Sequence, residues 1–210
     1  MITLGFGADT VAGVVRSGAG ALICRDGRTT ASPPPRVEEL TGLAGWRATD
    51  EDGVLELAFE PIGRPAVFSD GSREWLCRAR GTAAGRAVDC LGHAIVGGEP
   101  PRGRRRPGLG RVVAAWLGED LAVALHARRP ARARNHEAEE VDGFLLRGSP
   151  PEPHPIEDPR LSTAYGGDGR QPPSVMPRRA GLELWETEDS DYPLRGAGGG
   201  GGGGGGGVGG

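Results

Sequence analysis

The chain has 210 residues, of which 37% are hydrophobic and 5% aromatic, and 25 arginines against 28 acidic residues give a net charge of −3. With 39 glycines and 18 prolines, the composition excludes a protein of long helices, while four tryptophans and several short apolar runs exclude full disorder. Residues 196–210 contain 13 glycines and have almost no side chains to bury, which predicts a disordered polyglycine tail.

The charge is unevenly distributed along the chain. Residues 102–134 carry nine arginines against two acids, whereas residues 135–195 carry six arginines against 13 acids. This asymmetry predicts internal neutralisation, and the alternative is attraction of an anionic partner. The three cysteines lack C-x-x-C spacing, so neither a metal site nor a disulfide framework is predicted. No apolar run has the length of a membrane span and no signal peptide is recognisable, so we expect a cytoplasmic protein.

Residues 1–53 are predicted to form an N-terminal hairpin followed by a proline-rich linker. The hairpin covers residues 21–30 and turns at Asp26–Gly27, a pair suited to the positive φ angles of a tight turn. The prolines at 33–35 interrupt the chain, and Val37 to Trp46 is interpreted as a linker or a short helical turn.

Residues 54–195 are predicted to form a β domain, and alternating apolar and polar residues mark its first strand. Leu55, Leu57 and Phe59 share one face of this strand, and glutamates occupy the other. The next strand, from Glu74 to Arg80, places Trp75, Cys77 and Ala79 on one face and its charged residues, including Glu74, on the other. A turn at residues 84–86 then returns the chain as a second hairpin.

A third hairpin is predicted around Gly118, with strands at 112–117 and 121–127. Trp116 lies on the first of these strands and Val123 on the second. A helix is the alternative, but the interruption at Gly118 and the paired valines at 112 and 113 favour strands. Short strands are expected at 144–146 and at 182–186. A succession of hairpins without amphipathic helices predicts an all-β, antiparallel barrel or sandwich.

Among the side chains that could act in catalysis or ligand binding, the sequence singles out only His93. It follows a predicted strand, where it could act as a proton donor or contact a ligand, or else be a structural histidine hydrogen-bonded to the backbone. No two histidines have metal-binding spacing, and no nucleophile elbow or dinucleotide-binding motif is present, so neither a metal nor a cofactor is expected.

Three stretches resemble the lipocalin-like proteins related to hydroxyneurosporene synthase (the carotenoid 1,2-hydratase family), in its actinobacterial branch. They are residues 73–81 with 88–93, residues 115–117, and residues 158–163 with 181–185. The resemblance implies lipocalin-like antiparallel β units around an apolar cavity, and enzymes that add water to an isoprenoid double bond. In the family a Trp-Gly pair follows the histidine equivalent to His93, but here Ala94–Gly98 follows it. The family also continues with further strands where this chain enters polyglycine, which implies a truncated or frame-damaged member without catalysis.

The sequence therefore predicts a lipocalin-like β protein, incomplete at its C-terminus, that binds an apolar, isoprenoid-like small molecule. Any surviving activity would be hydration with His93 as the acid. The candidate pocket residues are Leu55, Leu57, Phe59, Trp75, Trp116 and Val123. Two alternatives remain open: a non-functional frame-damaged fragment, or a protein that binds nucleic acid or another polyanion through Arg102, Arg104, Arg105 and Arg106.

Overall fold

The computed structural model describes residues 1–40, 45–97, 109–129 and 139–159, together with two short strands at 182–183 and 195–196. The fold is all-β and antiparallel, which confirms the fold class predicted from the succession of hairpins. Among the described residues there is no helix with the length and apolar character needed to cross a bilayer.

The strands, in chain order, are β1 (Ile2–Gly7), β2 (Val11–Arg16), β3 (Gly20–Arg25), β4 (Arg28–Ser32), β5 (Arg36–Glu39), β6 (Trp46–Thr49), β7 (Leu55–Pro61), β8 (Ala66–Val67), β9 (Arg73–Ala83), β10 (Arg86–Val96), β11 (Leu109–Gly118), β12 (Leu121–Arg129), β13 (Glu140–Arg147), β14 (Glu152–Pro155), β15 (Leu182–Glu183) and β16 (Arg195–Gly196).

The first ten strands form one sheet that curls into a half-barrel, in the order β4-β3-β2-β1-β10-β9-β7-β6-β5, with β8 added beside β9. The long β9–β10 hairpin lies at its centre, and β1 joins it by pairing antiparallel with β10. The sheet is thus continuous across the boundary between residues 1–53 and 54–195.

One face of this sheet, called the inner face here, is packed into the main hydrophobic core. Leu55, Leu57 and Phe59 are 1%, 0% and 0% exposed, as their alternation with glutamates predicts. Side chains at alternate positions of the neighbouring strands complete the core, among them Leu4, Phe6, Val11, Val15, Ile23, Trp46, Ala48, Cys77 and Ala79.

The opposite face, called the outer face, is partly covered by a second sheet of β11, β12, β13 and β14. Ala122 and Ala124 of β12 pack with Leu76 of β9 and with Phe68, which follows β8. The first sheet is therefore buried on both faces along the first half of β9, and on the inner face alone elsewhere along that strand.

All three predicted hairpins are present. Asp26 and Gly27 have φ angles of 49° and 76° and join β3 to β4, as the Asp-Gly pair predicts. Ala84 and Gly85 join β9 to β10. Residues 109–129 form the β11–β12 hairpin, so strands, not a helix, follow the Arg/Pro-rich segment.

Two predictions about elements need correction. The linker or short helical turn expected from Val37 to Trp46 is wrong for the residues of this range that the structure describes, because β5 and β6 pair as strands, with Glu39 opposite Trp46. These strands have four residues each, too few to show a clear alternation of apolar and polar residues. They are added to the sheet by pairing, β6 with β7 and β5 with β6. The strand expected at 144–146 runs from 140 to 147.

Several predicted features lie outside the described residues. They are Arg102, Arg104, Arg105 and Arg106, the part of the 182–186 strand that follows Glu183, and the polyglycine tail after Gly196.

Gly81 is expected to be essential to the pairing of β9 with β7. Its φ angle is +138°, and an added Cβ would lie 2.0 Å from the Glu56 carbonyl oxygen. Gly81→Ala should therefore lower the free energy of unfolding by about 3 kcal/mol, since both backbone strain and steric overlap are introduced. Urea denaturation would measure this loss.

Gly18→Ala is the matched control, because Gly18 also has a positive φ angle, +73°, but an added Cβ would meet nothing within 4 Å. It should cost only about 1 kcal/mol. Equal losses of unfolding free energy in Gly81→Ala and Gly18→Ala would contradict this prediction, because the backbone would then relieve the overlap with Glu56 at no energetic cost.

Candidate ligand cavity and the buried polar cluster

A cavity of about 400 Å³ lies at one end of the inner face. Two tryptophans form its aromatic wall: the rings of Trp46 and Trp75 are 5.1 Å apart between centroids and inclined at 58°. The cavity, called the tryptophan cavity here, is lined by Glu39, Gly45, Trp46, Pro61, Gly71, Arg73, Trp75, Val96 and Gly97.

Strand register determines why both tryptophans face this cavity. Trp46 pairs with Phe59 of β7, and Trp75 pairs with Ala94 of β10, so both side chains project from the inner face. Trp46 is buried against the core, whereas Trp75 is only half-buried and packs at the edge of the core. The tryptophan cavity therefore begins where the hydrophobic core ends.

The charges of the described residues that line the tryptophan cavity are balanced. Glu39 and Arg73 both line it, both are exposed, and their charges are opposite. A rim on which charges cancel in this way does not favour an ionic ligand of either sign. The combination of two indole rings with a neutral rim suits an uncharged apolar molecule.

A second group of polar residues, called the polar interlock here, lies between the two sheets. Glu74 of β9 is 2% exposed, and its Oε2 lies 2.8 Å from Nε2 of His126 on β12. Nδ1 of His126 lies 3.4 Å from Oγ of Ser72, which is 1% exposed. Asp70 contacts Ser72 and forms an ion pair of 2.7 Å with Arg128.

The hydrogen bonds of the polar interlock specify where its protons lie. The Ser72 hydroxyl donates to Asp70 at 2.5 Å, and the Ser72 backbone N–H donates to the same oxygen at 2.8 Å. Burial raises the pKa of Asp70, but these hydrogen bonds and the charges of Arg128 and His126 outweigh it, so the net pKa is lowered. Asp70 is thus an ionised acceptor, and the single Ser72 proton is directed at it.

Because the Ser72 hydroxyl proton is directed at Asp70, Ser72 Oγ can only accept from Nδ1 of His126 across their 3.4 Å contact, and Nε2 of His126 faces Glu74. The arrangement has the residue types of a Ser-His-Glu catalytic triad, but it lacks the required roles. The histidine presents a proton to the serine instead of a lone pair, and Ser72 is sealed from solvent. The polar interlock is therefore a structural connection between the sheets.

His93, the predicted acid, lies on the outer face opposite Gly5 of β1, with its ring centroid 6.1 Å from that of Trp116. These side chains border a space of only about 10 Å³ between the sheets. Burial lowers the pKa of His93, Glu74 partly offsets this, and His126 lowers it further. His93 is thus neutral near pH 7 and has no proton to donate as an imidazolium.

The six predicted pocket residues do not form one site. Leu55, Leu57 and Phe59 are fully buried in the main core, and Trp75 lines the tryptophan cavity. Trp116 lies between the sheets, packed near His93 and Gly7. Val123 is 1% exposed and projects from the opposite face of the second sheet, since its neighbours Ala122 and Ala124 face the first sheet.

Sequence reasoning missed both members of the Glu74–His126 pair. Alternation correctly placed Glu74 opposite Trp75 and Cys77, but that face was interpreted as solvent-exposed. Leu76 is the signal that could have corrected this, because an apolar residue two positions from Glu74 shares its face. Among the described residues, no three His, Cys, Asp or Glu side chains converge as metal ligands would.

Comparison with known proteins identifies no relative: no protein-family model, curated protein or solved structure matches this chain.

Breaking the Glu74–His126 contact should destabilise the fold. Glu74→Met keeps the side-chain length but leaves His126 without its carboxylate, and it should lower the free energy of unfolding by about 3 kcal/mol. The double variant Glu74→Met/His126→Met should lose clearly less than the sum of the two single losses, because neither member of the pair is then left buried without the other. A double-mutant cycle by urea denaturation tests this, and additive losses would contradict it.

Stability should depend on pH through His93. Since burial lowers the native pKa of His93, the unfolded chain takes up a proton below its ordinary value of 6.5 while the native state stays neutral. The free energy of unfolding should therefore fall as the pH decreases through 6.5, by at most about 1.4 kcal/mol per pH unit from this group.

His93→Phe keeps an aromatic ring beside Trp116 and removes this contribution. Its unfolding free energy should fall less between about pH 7.5 and pH 5.5 than that of the wild type, as measured by urea denaturation. Parallel pH profiles for the two proteins would show that His93 is not held neutral in the native state.

Proposed function

We propose that the protein is a non-catalytic binding protein for a neutral, apolar small molecule of the isoprenoid class, held in the tryptophan cavity. The observation that carries this proposal is the cavity of about 400 Å³ bordered by Trp46 and Trp75. Small-molecule sites usually have volumes of about 300–1,000 Å³ and apolar linings with a few polar groups.

The chemistry of the lining supports an uncharged ligand with one polar end. The indole rings and the half-buried Val96 offer apolar contact, while Glu39 and Arg73 provide an acceptor and a donor at the rim. An isoprenoid alcohol matches this combination, because its chain contacts the rings and its hydroxyl group hydrogen-bonds to either rim residue.

The positions of the histidines support binding without catalysis. His93 and His126 project from the outer face and from the second sheet, so neither faces the tryptophan cavity. Hydration of a double bond needs a proton donor at the bound chain, and neither of these side chains is placed to supply one there.

Binding is tested by titrating the protein with farnesol and measuring affinity by calorimetry and by quenching of tryptophan fluorescence. Trp75→Leu should weaken farnesol binding about tenfold, since it removes one aromatic wall of the tryptophan cavity. The quenching signal should also decrease, because Trp75 would be one of the indoles in contact with the ligand.

Trp116→Leu is the matched control, because it removes a partly buried tryptophan that lies between the sheets and does not line the tryptophan cavity. It should leave farnesol affinity unchanged. The absence of saturable binding, or equal affinities of Trp75→Leu and the wild type, would overturn the proposed function.

A further inference from the structure

A second cavity, of about 630 Å³, lies at the opposite end of the inner face. Trp75 is near the beginning of β9, whereas this cavity includes Ala84, which directly follows β9. The core residues Leu57 and Phe59 separate the two openings. The second cavity, called the arginine cavity here, is lined by Ile23, Arg25, Asp26, Arg28, Thr30, Ser32, Val54 and Ala84.

Strand β4 gives the arginine cavity its polar wall. Arg28, Thr30 and Ser32 pair with Arg25, Ile23 and Ala21 of β3, and Ile23 and Ala21 belong to the main core. The three polar residues therefore project from the inner face, where the neighbouring strands present mainly apolar side chains. The inner face thus changes from apolar to polar at this strand.

The described residues that line the arginine cavity carry a net positive charge. Arg25 donates to the Ala84 carbonyl oxygen at 2.7 Å and lies 3.3 Å from Asp26, which also pairs with Arg86 at 3.4 Å. Asp26, the one carboxylate among the described lining residues, is thus already shared by two arginines. The Arg28 guanidinium forms no hydrogen bond or ion pair within the part of the chain that the structure describes.

Ser32 supplies a second, independent observation. Its Oγ is sealed from solvent and has no hydrogen-bond partner among the described residues. Buried hydroxyl groups almost always have a partner, because an unpaired one costs about 1–3 kcal/mol. Ser32 lines the arginine cavity, so a ligand oxygen there would satisfy this hydroxyl once the atoms that now cover it move aside.

The apolar side of the lining indicates what else the ligand contains. Ile23 and Ala84 border the cavity at the edge of the main core, and Val54 is 41% exposed beside them. An inorganic anion would leave this apolar surface in water, whereas an alkyl chain would cover it.

We propose that the arginine cavity binds a small amphipathic carboxylate. Its carboxylate accepts hydrogen bonds from the Arg28 guanidinium and the Ser32 hydroxyl, and its alkyl chain lies against Ile23 and Val54. Because Trp46 and Trp75 do not line the arginine cavity, this site is independent of the proposed isoprenoid site.

The test measures octanoate binding to the full chain by calorimetry at low ionic strength, with 1-octanol and inorganic phosphate as comparison ligands. Octanoate should bind saturably and at least about tenfold more tightly than either comparison ligand, since only octanoate uses both the charge and the apolar wall. Arg28→Gln should weaken octanoate binding about tenfold, and Ser32→Ala should weaken it about threefold.

Arg47→Gln is the charge-matched control, because Arg47 is an exposed arginine of β6 whose neighbours Trp46 and Ala48 occupy the inner face. It should bind octanoate as the wild type does, and so should Trp75→Leu. Urea denaturation of each variant establishes that it is folded.

Three results would overturn the proposal: octanoate affinity unchanged by Arg28→Gln, 1-octanol or phosphate binding as tightly as octanoate, or no saturable binding of octanoate at all. A loss of octanoate binding in Trp75→Leu would place the carboxylate in the tryptophan cavity and would also overturn it, whatever the result with farnesol.

Discussion

The contact between Glu74 and His126 is the constraint that fixes how the two sheets lie against each other. The rest of the interface contains small, aromatic and leucine side chains, whose packing tolerates small shifts, and ion pairs such as Asp70–Arg128 that lie nearer to solvent. A buried carboxylate and imidazole 2.8 Å apart do not tolerate such shifts, because separating them would leave a polar group unpaired between the sheets. Phe68 adds to this fixed geometry by stacking on His126 with centroids 3.6 Å apart and planes inclined at 4°. The Glu74–His126 pair therefore does more to fix the relative position of the two sheets than to increase the free energy of unfolding.

Because the second sheet covers part of the outer face, the two cavities lie on the inner face. The second sheet contacts the first half of β9, so the space between the sheets is filled by side chains and leaves no room for a ligand. The main core fills the middle of the inner face, and openings remain at its two ends. One end has two indole rings and balanced charges, and the other has arginines and hydroxyl groups. The two ends of one curled sheet thus offer two different binding chemistries.

The sequence could predict the hairpins, because alternation and Asp26–Gly27 are local signals that act within a few residues. It could not predict the site, because alternation indicates which side chains share a face but not what covers that face. Glu74 shares its face with Leu76, and only the arrival of β12 decides that both are buried. Trp116 and Val123 were grouped as pocket residues, yet the register of β11 with β12 pairs Trp116 with Ala122 and so turns Val123 away. Of the predicted pocket residues, Trp75 alone lines the tryptophan cavity.

The polar row on β4 has two physical explanations, and Ser32 distinguishes between them. β4 is an edge strand, and edge strands often present charged and polar residues that discourage pairing with other chains. That role requires polar groups in water, and the exposed Arg28 and Thr30 fit it. Ser32 does not, because its hydroxyl is sealed from solvent and unpaired. Edge protection does not account for a buried, unpaired hydroxyl, whereas a ligand held by Arg28 would provide its missing partner once the atoms that now cover the hydroxyl move aside.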